Sequence, residues 1–150
     1  MTVRKIKLIN EPGALKPDEL RPAFGRLCEE KKIELLYLFG GAARGSSGRL
    51  SDIDLAYYSR QEAELLDLQN SLADLLKRDD IDLVNLKSAN PLISYQVIKN
   101  GKLLFCSNEA LKVQLEYMIV NKYLNTIHLR NEFHKSFTKA VQGGDFYGKT

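Results

Sequence analysis

The chain contains no tryptophan, and in 150 residues it has only two cysteines, two histidines and four prolines. Each scarcity excludes something. Cys28 and Cys106 lie far apart and in no ligand-like spacing. That rules out a disulfide framework and a structural zinc site, and it suits reduced thiols in a cytoplasmic protein. His128 and His134 are six residues apart on one helical stretch, a poor spacing for sharing a metal, so solvated or interface histidines are expected. No apolar run approaches the roughly 20 residues of a membrane span. The opening MTVRKIKLIN lacks the apolar core and cleavage site of a secretory leader, so no membrane role is expected. Charge of one sign is also missing. With 22 Lys and Arg against 19 Asp and Glu, the net charge is +3, too small for a nucleic-acid footprint.

What is present suits a globular protein. The chain is 44% hydrophobic and 27% charged, with no internal repeat. We expect a single domain over 1–150, large enough to bury a sizeable core.

Hydrophobic periodicity orders the elements. An extended start and a turn around Pro12, Gly13 and Pro17 precede a helix over about 18–32, with Leu20, Phe24, Leu27 and Cys28 on one side and Pro22 in its first turn. IELLYLF, 33–39, reads as a buried strand, and the turn over 40–44 after it as opening a short helix. A second strand covers 52–58. Leu65, Leu68, Leu72, Leu75 and Leu76 make an amphipathic helix over 61–77, ended by Asp79 and Asp80. A third strand follows at 81–86, a helix at 91–99, a strand at 102–106 and a long helix over about 108–141. On that last helix Leu111, Leu115, Met118 and Ile119 form one stripe, and Val113, Tyr117, Val120 and Leu124 a second. Ile127, Phe133, Phe137 and Val141 extend the apolar surface. This exceeds what one core-facing stripe requires, so part of it is expected to dock a partner or a second copy.

The chemistry concentrates in 40–55, GGAARGSSGRLSDIDL. Gly40 and Gly41 close the first strand without side chains that block close approach, and a helix N-terminus after them would attract anions. Asp52 and Asp54 are two residues apart on a strand, so they share one face while Ile53 and Leu55 take the other. Two such carboxylates repel unless a cation intervenes. Magnesium favours one or two carboxylates with substrate phosphates and water. A phosphate cradle followed by metal carboxylates is what nucleotidyl transfer needs.

Gly-Gly-Ala-Ala-Arg-Gly, five residues, then Ser-Asp-Ile-Asp-Leu resembles the signature of the DNA polymerase β-type nucleotidyltransferases, Gly-Ser followed by Asp-x-Asp. The short chain is similar to the minimal (MNT) branch, whose members pair with HEPN-domain toxins. The resemblance implies an α/β nucleotidyltransferase fold: a small mixed sheet flanked by helices, with a C-terminal helical segment. It implies two Mg²⁺ ions and ATP as substrate. Asp52, Asp54 and a third carboxylate would be the catalytic metal ligands. Asp82, inside the apolar run Ile81-Asp82-Leu83-Val84, matches the third position, with Asp80 the alternative of the same parity. Gly40, Gly41, Arg44 and Ser51 would hold the nucleotide. Ser46, Ser47 and Gly48 read either as closing over the triphosphate or as plain loop. Gly41 departs from the family's serine, which removes a hydrogen bond worth about 0.5–1.5 kcal/mol. The implied function is an antitoxin that transfers AMP to a tyrosine of a HEPN-type RNase. A catalytically weak module acting by binding, and a small-molecule adenylyltransferase, are the alternatives.

Overall fold

The computed structural model describes residues 17–40 and 52–142. Its elements run α1 (Pro17–Lys31), β1 (Leu35–Phe39), β2 (Ile53–Tyr58), α2 (Leu65–Leu76), β3 (Ile81–Asn85), α3 (Pro91–Asn100), β4 (Lys102–Cys106) and α4 (Glu109–Gln142). The expected start and turn at 1–16, the short helix beyond Gly40 and the tail after 142 lie outside the described residues.

The four strands form one mixed sheet in the order β3-β2-β1-β4. β1 pairs antiparallel with both β2 and β4, and β2 pairs parallel with β3. Period-two alternation sorts their side chains onto two faces. Leu36, Leu38, Ile53, Leu55, Tyr57 and Ile81 pack against Leu20, Phe24 and Cys28 of α1 and Leu68, Leu72 and Leu76 of α2. Leu35, Tyr37 and Ala56 pack on the other face against Val97 of α3 and Leu115 and Ile119 of α4. Both faces are covered, as the near-continuous apolar runs of β1 and β2 require.

Local chemistry sets the ends. α1 stops where Lys32 adopts a left-handed φ of 59°, and Ile33 N–H reaches back 2.8 Å to the Cys28 carbonyl. Pro22 is not in the first turn: it sits inside α1, where it has no N–H to offer the Asp18 carbonyl one turn back. Residues 61–64 stay out of α2 because the Ser59 hydroxyl accepts the Gln61 N–H at 3.2 Å and itself donates to the Lys32 carbonyl at 2.9 Å, making a turn. Leu65, placed on the core stripe from sequence, is 49% exposed for the same reason: it starts the helix at the rim. Asp79 and Asp80 do not end α2; Lys77, with φ 54°, does.

Among the described residues, α4 is anchored over its first half. The Tyr37 hydroxyl donates to Glu116 at 3.0 Å, and Tyr95 of α3 stacks on Tyr123 at 3.8 Å. Of the two stripes read from sequence, only Leu115 and Ile119 are buried. Tyr117, Leu124, Leu129 and Phe133 are exposed.

Candidate functional site

Asp54 is the second residue of β2, across from Phe39 at the end of β1 and from Asp82 at the start of β3. Residues paired across a sheet point to the same face. The register therefore places Asp54 and Asp82 together, on the α3/α4 face and at its open end. Asp52 precedes them on the same parity and is exposed. The sheet sets two of the carboxylates expected from sequence, Asp54 and Asp82, against each other, with Asp52 at the rim on the same parity.

Their electrostatics show the crowding. Burial pushes the Asp54 carboxyl above its usual range, and the charges of Asp82 and Asp52, with a hydrogen bond to Asp82, push it the same way. Gly40 closes the other side. Its φ is +72°, and a Cβ there would lie 2.2 Å from Asp54 Oδ2. The chain turns against the carboxylate through a position that only glycine fills without strain.

An all-oxygen cluster of this kind fits a hard divalent cation: Asp54 is held close to Asp82 at a cost that a cation would relieve. The ligand set is not preassembled, however. Among the described residues no three His, Cys, Asp or Glu side chains converge at metal-binding distance. Asp54 and Asp82 are in contact, and Asp52 contributes its charge from the rim. A phosphate-bearing substrate completes such a site with its own oxygens. Gly41, Arg44 and Ser51, and with them Ser46, Ser47 and Gly48, lie outside the described residues.

Asp80 has a different environment. Arg78 grips it with both arms of the guanidinium, Nε donating to Oδ1 at 2.7 Å and a terminal nitrogen to Oδ2. That ion pair holds the Asp80 carboxyl below its usual range. Sequence reasoning missed Arg78. The signal was a basic residue two positions before the alternative ligand, in a stretch read only as a helix end.

The remaining singled-out residues play other parts. Tyr57 is buried in the core, while Tyr58 on the opposite face lies 6.0 Å beneath the Lys87 ammonium. His128 and His134 are exposed. A separate cleft of about 190 Å³ opens between α3 and α4, lined by Tyr58, Lys87, Ser94, Met118 and Lys122 among others. Tyr58 is four residues along β2 from Asp54, about 13 Å at strand rise, so this cleft is not the carboxylate site. Among the described residues no helix is long and apolar enough to cross a membrane.

The chain is similar to known proteins. A protein adenylyltransferase, MntA of Shewanella oneidensis, is 38% identical over 77 residues, covering 49% of this chain and 55% of the relative. The match thus spans about half the length of that curated protein. A crystal structure of a toxin–antitoxin with AMP-PNP superposes with a TM-score of 0.66 at 26% identity, over 83% of this chain and 99% of the other. A tri-AMPylated Shewanella oneidensis HEPN toxin in complex with its MNT antitoxin gives 0.63 at 23% identity, over 82% and 99%, and speaks to the fold alone. Residues 25–110, from the middle of α1 to the start of α4, match the polymerase beta nucleotidyltransferase family. With more than half of its length matched and the acidic pair on adjacent parallel strands, the chain belongs to the polymerase beta nucleotidyltransferase family.

Proposed function

We propose that this protein transfers AMP from ATP to a hydroxyl of a protein partner, a tyrosine of a HEPN-type RNase toxin, and so acts as its antitoxin. The observation that carries the reading is the register of β2 on β3, which sets Asp54 against Asp82 beside Gly40 at the open end of the sheet. The likeness to a protein adenylyltransferase and to a toxin–antitoxin holding AMP-PNP supports the choice of nucleotide and of acceptor class.

In this reading Asp52 and Asp54 would hold two magnesium ions, and Asp82 would hold the one nearer the acceptor. Bound there, the ions would stabilise the attacking and leaving oxygens of an in-line displacement. Asp82, exposed at the rim, draws the proton from the acceptor hydroxyl. Gly40 and Gly41 let the backbone approach the phosphates, and Arg44 and Ser51 position them. The acceptor oxygen bonds to the α-phosphorus, the bond to the bridging oxygen breaks, and pyrophosphate leaves with its electron pair.

A second reading has its own support. From its middle onward α4 exposes Leu124, Leu129 and Phe133, an apolar surface suited to docking a helix of the partner. On that reading the protein neutralises by binding alone. The variant Asp82→Ala separates the two, because Asp82 and α4 are distinct surfaces. With Mg-ATP and the partner, the wild-type protein should add one adenylyl group or a small multiple to the partner by intact-mass spectrometry. Asp82→Ala should add none yet still co-purify with it. Full neutralisation by the variant, with no mass change in either case, would overturn the catalytic reading.

A further inference from the structure

Four carboxylates, not three, stand at the starts of β2 and β3. Ile53 N–H donates to the Asp80 carbonyl at 3.0 Å, and Ile53 pairs with Ile81. One step back along this register sets Asp52 beside Asp80, on the parity of Asp54 and Asp82. Like Asp52, Asp80 stands one residue before its strand, so the register alone does not separate these two. What separates it is the two-armed grip of Arg78, whose guanidinium engages both Asp80 oxygens while its charge also acts on Asp52. The Arg78 backbone is itself anchored: its N–H donates to the Ala73 carbonyl at 3.2 Å, just past the left-handed Lys77 cap of α2. A planar fork on a fixed backbone is a rigid clamp in a way a lysine would not be.

We propose that Arg78 is a positioning residue that withholds Asp80 from the metal site and so sets the number of carboxylates offered to the cation. The inference rests on the nucleotidyltransferase reading above and adds the selection among its acids. With Arg78 in place, three carboxylates face a Mg-nucleotide whose phosphates are strongly anionic. Without it, a fourth carboxylate is released and a positive charge is lost. Bare cations would then bind more tightly, and the anionic nucleotide would be repelled.

The test measures Mn²⁺ binding without nucleotide and Mg-ATP binding, both by calorimetry, on the full chain. Arg78→Gln should tighten Mn²⁺ several-fold and weaken Mg-ATP several-fold. Adding Asp80→Asn in the same chain should return both towards wild type, a rescue that general loss of structure at the α2 cap would not produce. Asp80→Asn alone, which removes one negative charge from the Arg78 pair but no metal ligand, should weaken Mn²⁺ at most modestly, and this arm stands even if Arg78→Gln fails to fold. Unchanged binding in Arg78→Gln, a defect that Asp80→Asn does not rescue, or lost Mn²⁺ binding in Asp80→Asn alone would each overturn the inference. Asp82→Asn is the control: if it keeps wild-type Mn²⁺ binding, the underlying reading of the site fails instead.

Discussion

Replacing Gly40 with alanine perturbs fold and site through one atom. At φ +72° an L-residue costs about 1–2 kcal/mol, because its Cβ crowds the following carbonyl. The second cost is the contact itself. The added Cβ would lie 2.2 Å from Asp54 Oδ2 and 3.2 Å from its Cγ, so the carboxyl must swing away. Asp54 has a short side chain, and swinging it breaks its approach to Asp82. We therefore expect Gly40→Ala to lose about 1–2 kcal/mol in urea unfolding from the backbone alone. That corresponds to about 2–4 °C of melting temperature for each kcal/mol in a chain of this size. Mg-ATP binding by calorimetry should fall by more than this stability loss would explain. In an Asp54→Ala background the obstructing carboxyl is gone, so adding Gly40→Ala should cost only the backbone part, and the difference isolates the contact. Wild-type stability together with wild-type Mg-ATP affinity in Gly40→Ala would refute the close packing of turn and carboxylate.

Two further expectations follow from the titrating groups. Because the folded Asp54 carboxyl is raised above its unfolded value, it favours the fold at low pH, and that contribution is lost as pH rises through the folded value. Without metal, the carboxylate corner should thus weaken the protein near neutrality, and added Mg²⁺ should raise the urea midpoint more at pH 7 than at pH 4; equal Mg²⁺ effects at both would count against a metal site. Cys28 is buried under α1, and burial, reinforced by Glu29, pushes its thiol up to about 12. At pH 8 it should resist a thiol-reactive chromophore in the native state and react fully in urea, so rapid native labelling of Cys28, located by peptide mapping, would contradict the packing of α1 on the sheet.

The sequence by itself determined the elements and the shared face of Asp52 and Asp54, because both follow from local periodicity: 3.6 for the α2 leucines, two for the strands. It also placed Gly40 at the end of β1, since a glycine after an apolar run marks a turn that other residues enter only with strain. It misplaced the ends of α2 and the setting of Pro22, where side-chain hydrogen bonds and left-handed caps, not hydrophobic spacing, decide. The choice between Asp80 and Asp82 lay beyond local pattern, since the two share parity. The parallel register of β2 on β3, a pairing across the intervening α2, brings Asp82 to Asp54, and the Arg78 guanidinium engages Asp80. The sequence likewise showed more apolar surface on the last helix than a core needs. Which part is covered was decided by where α3 ends and Tyr95 stacks on Tyr123, because burial is settled by what lies opposite a side chain in space.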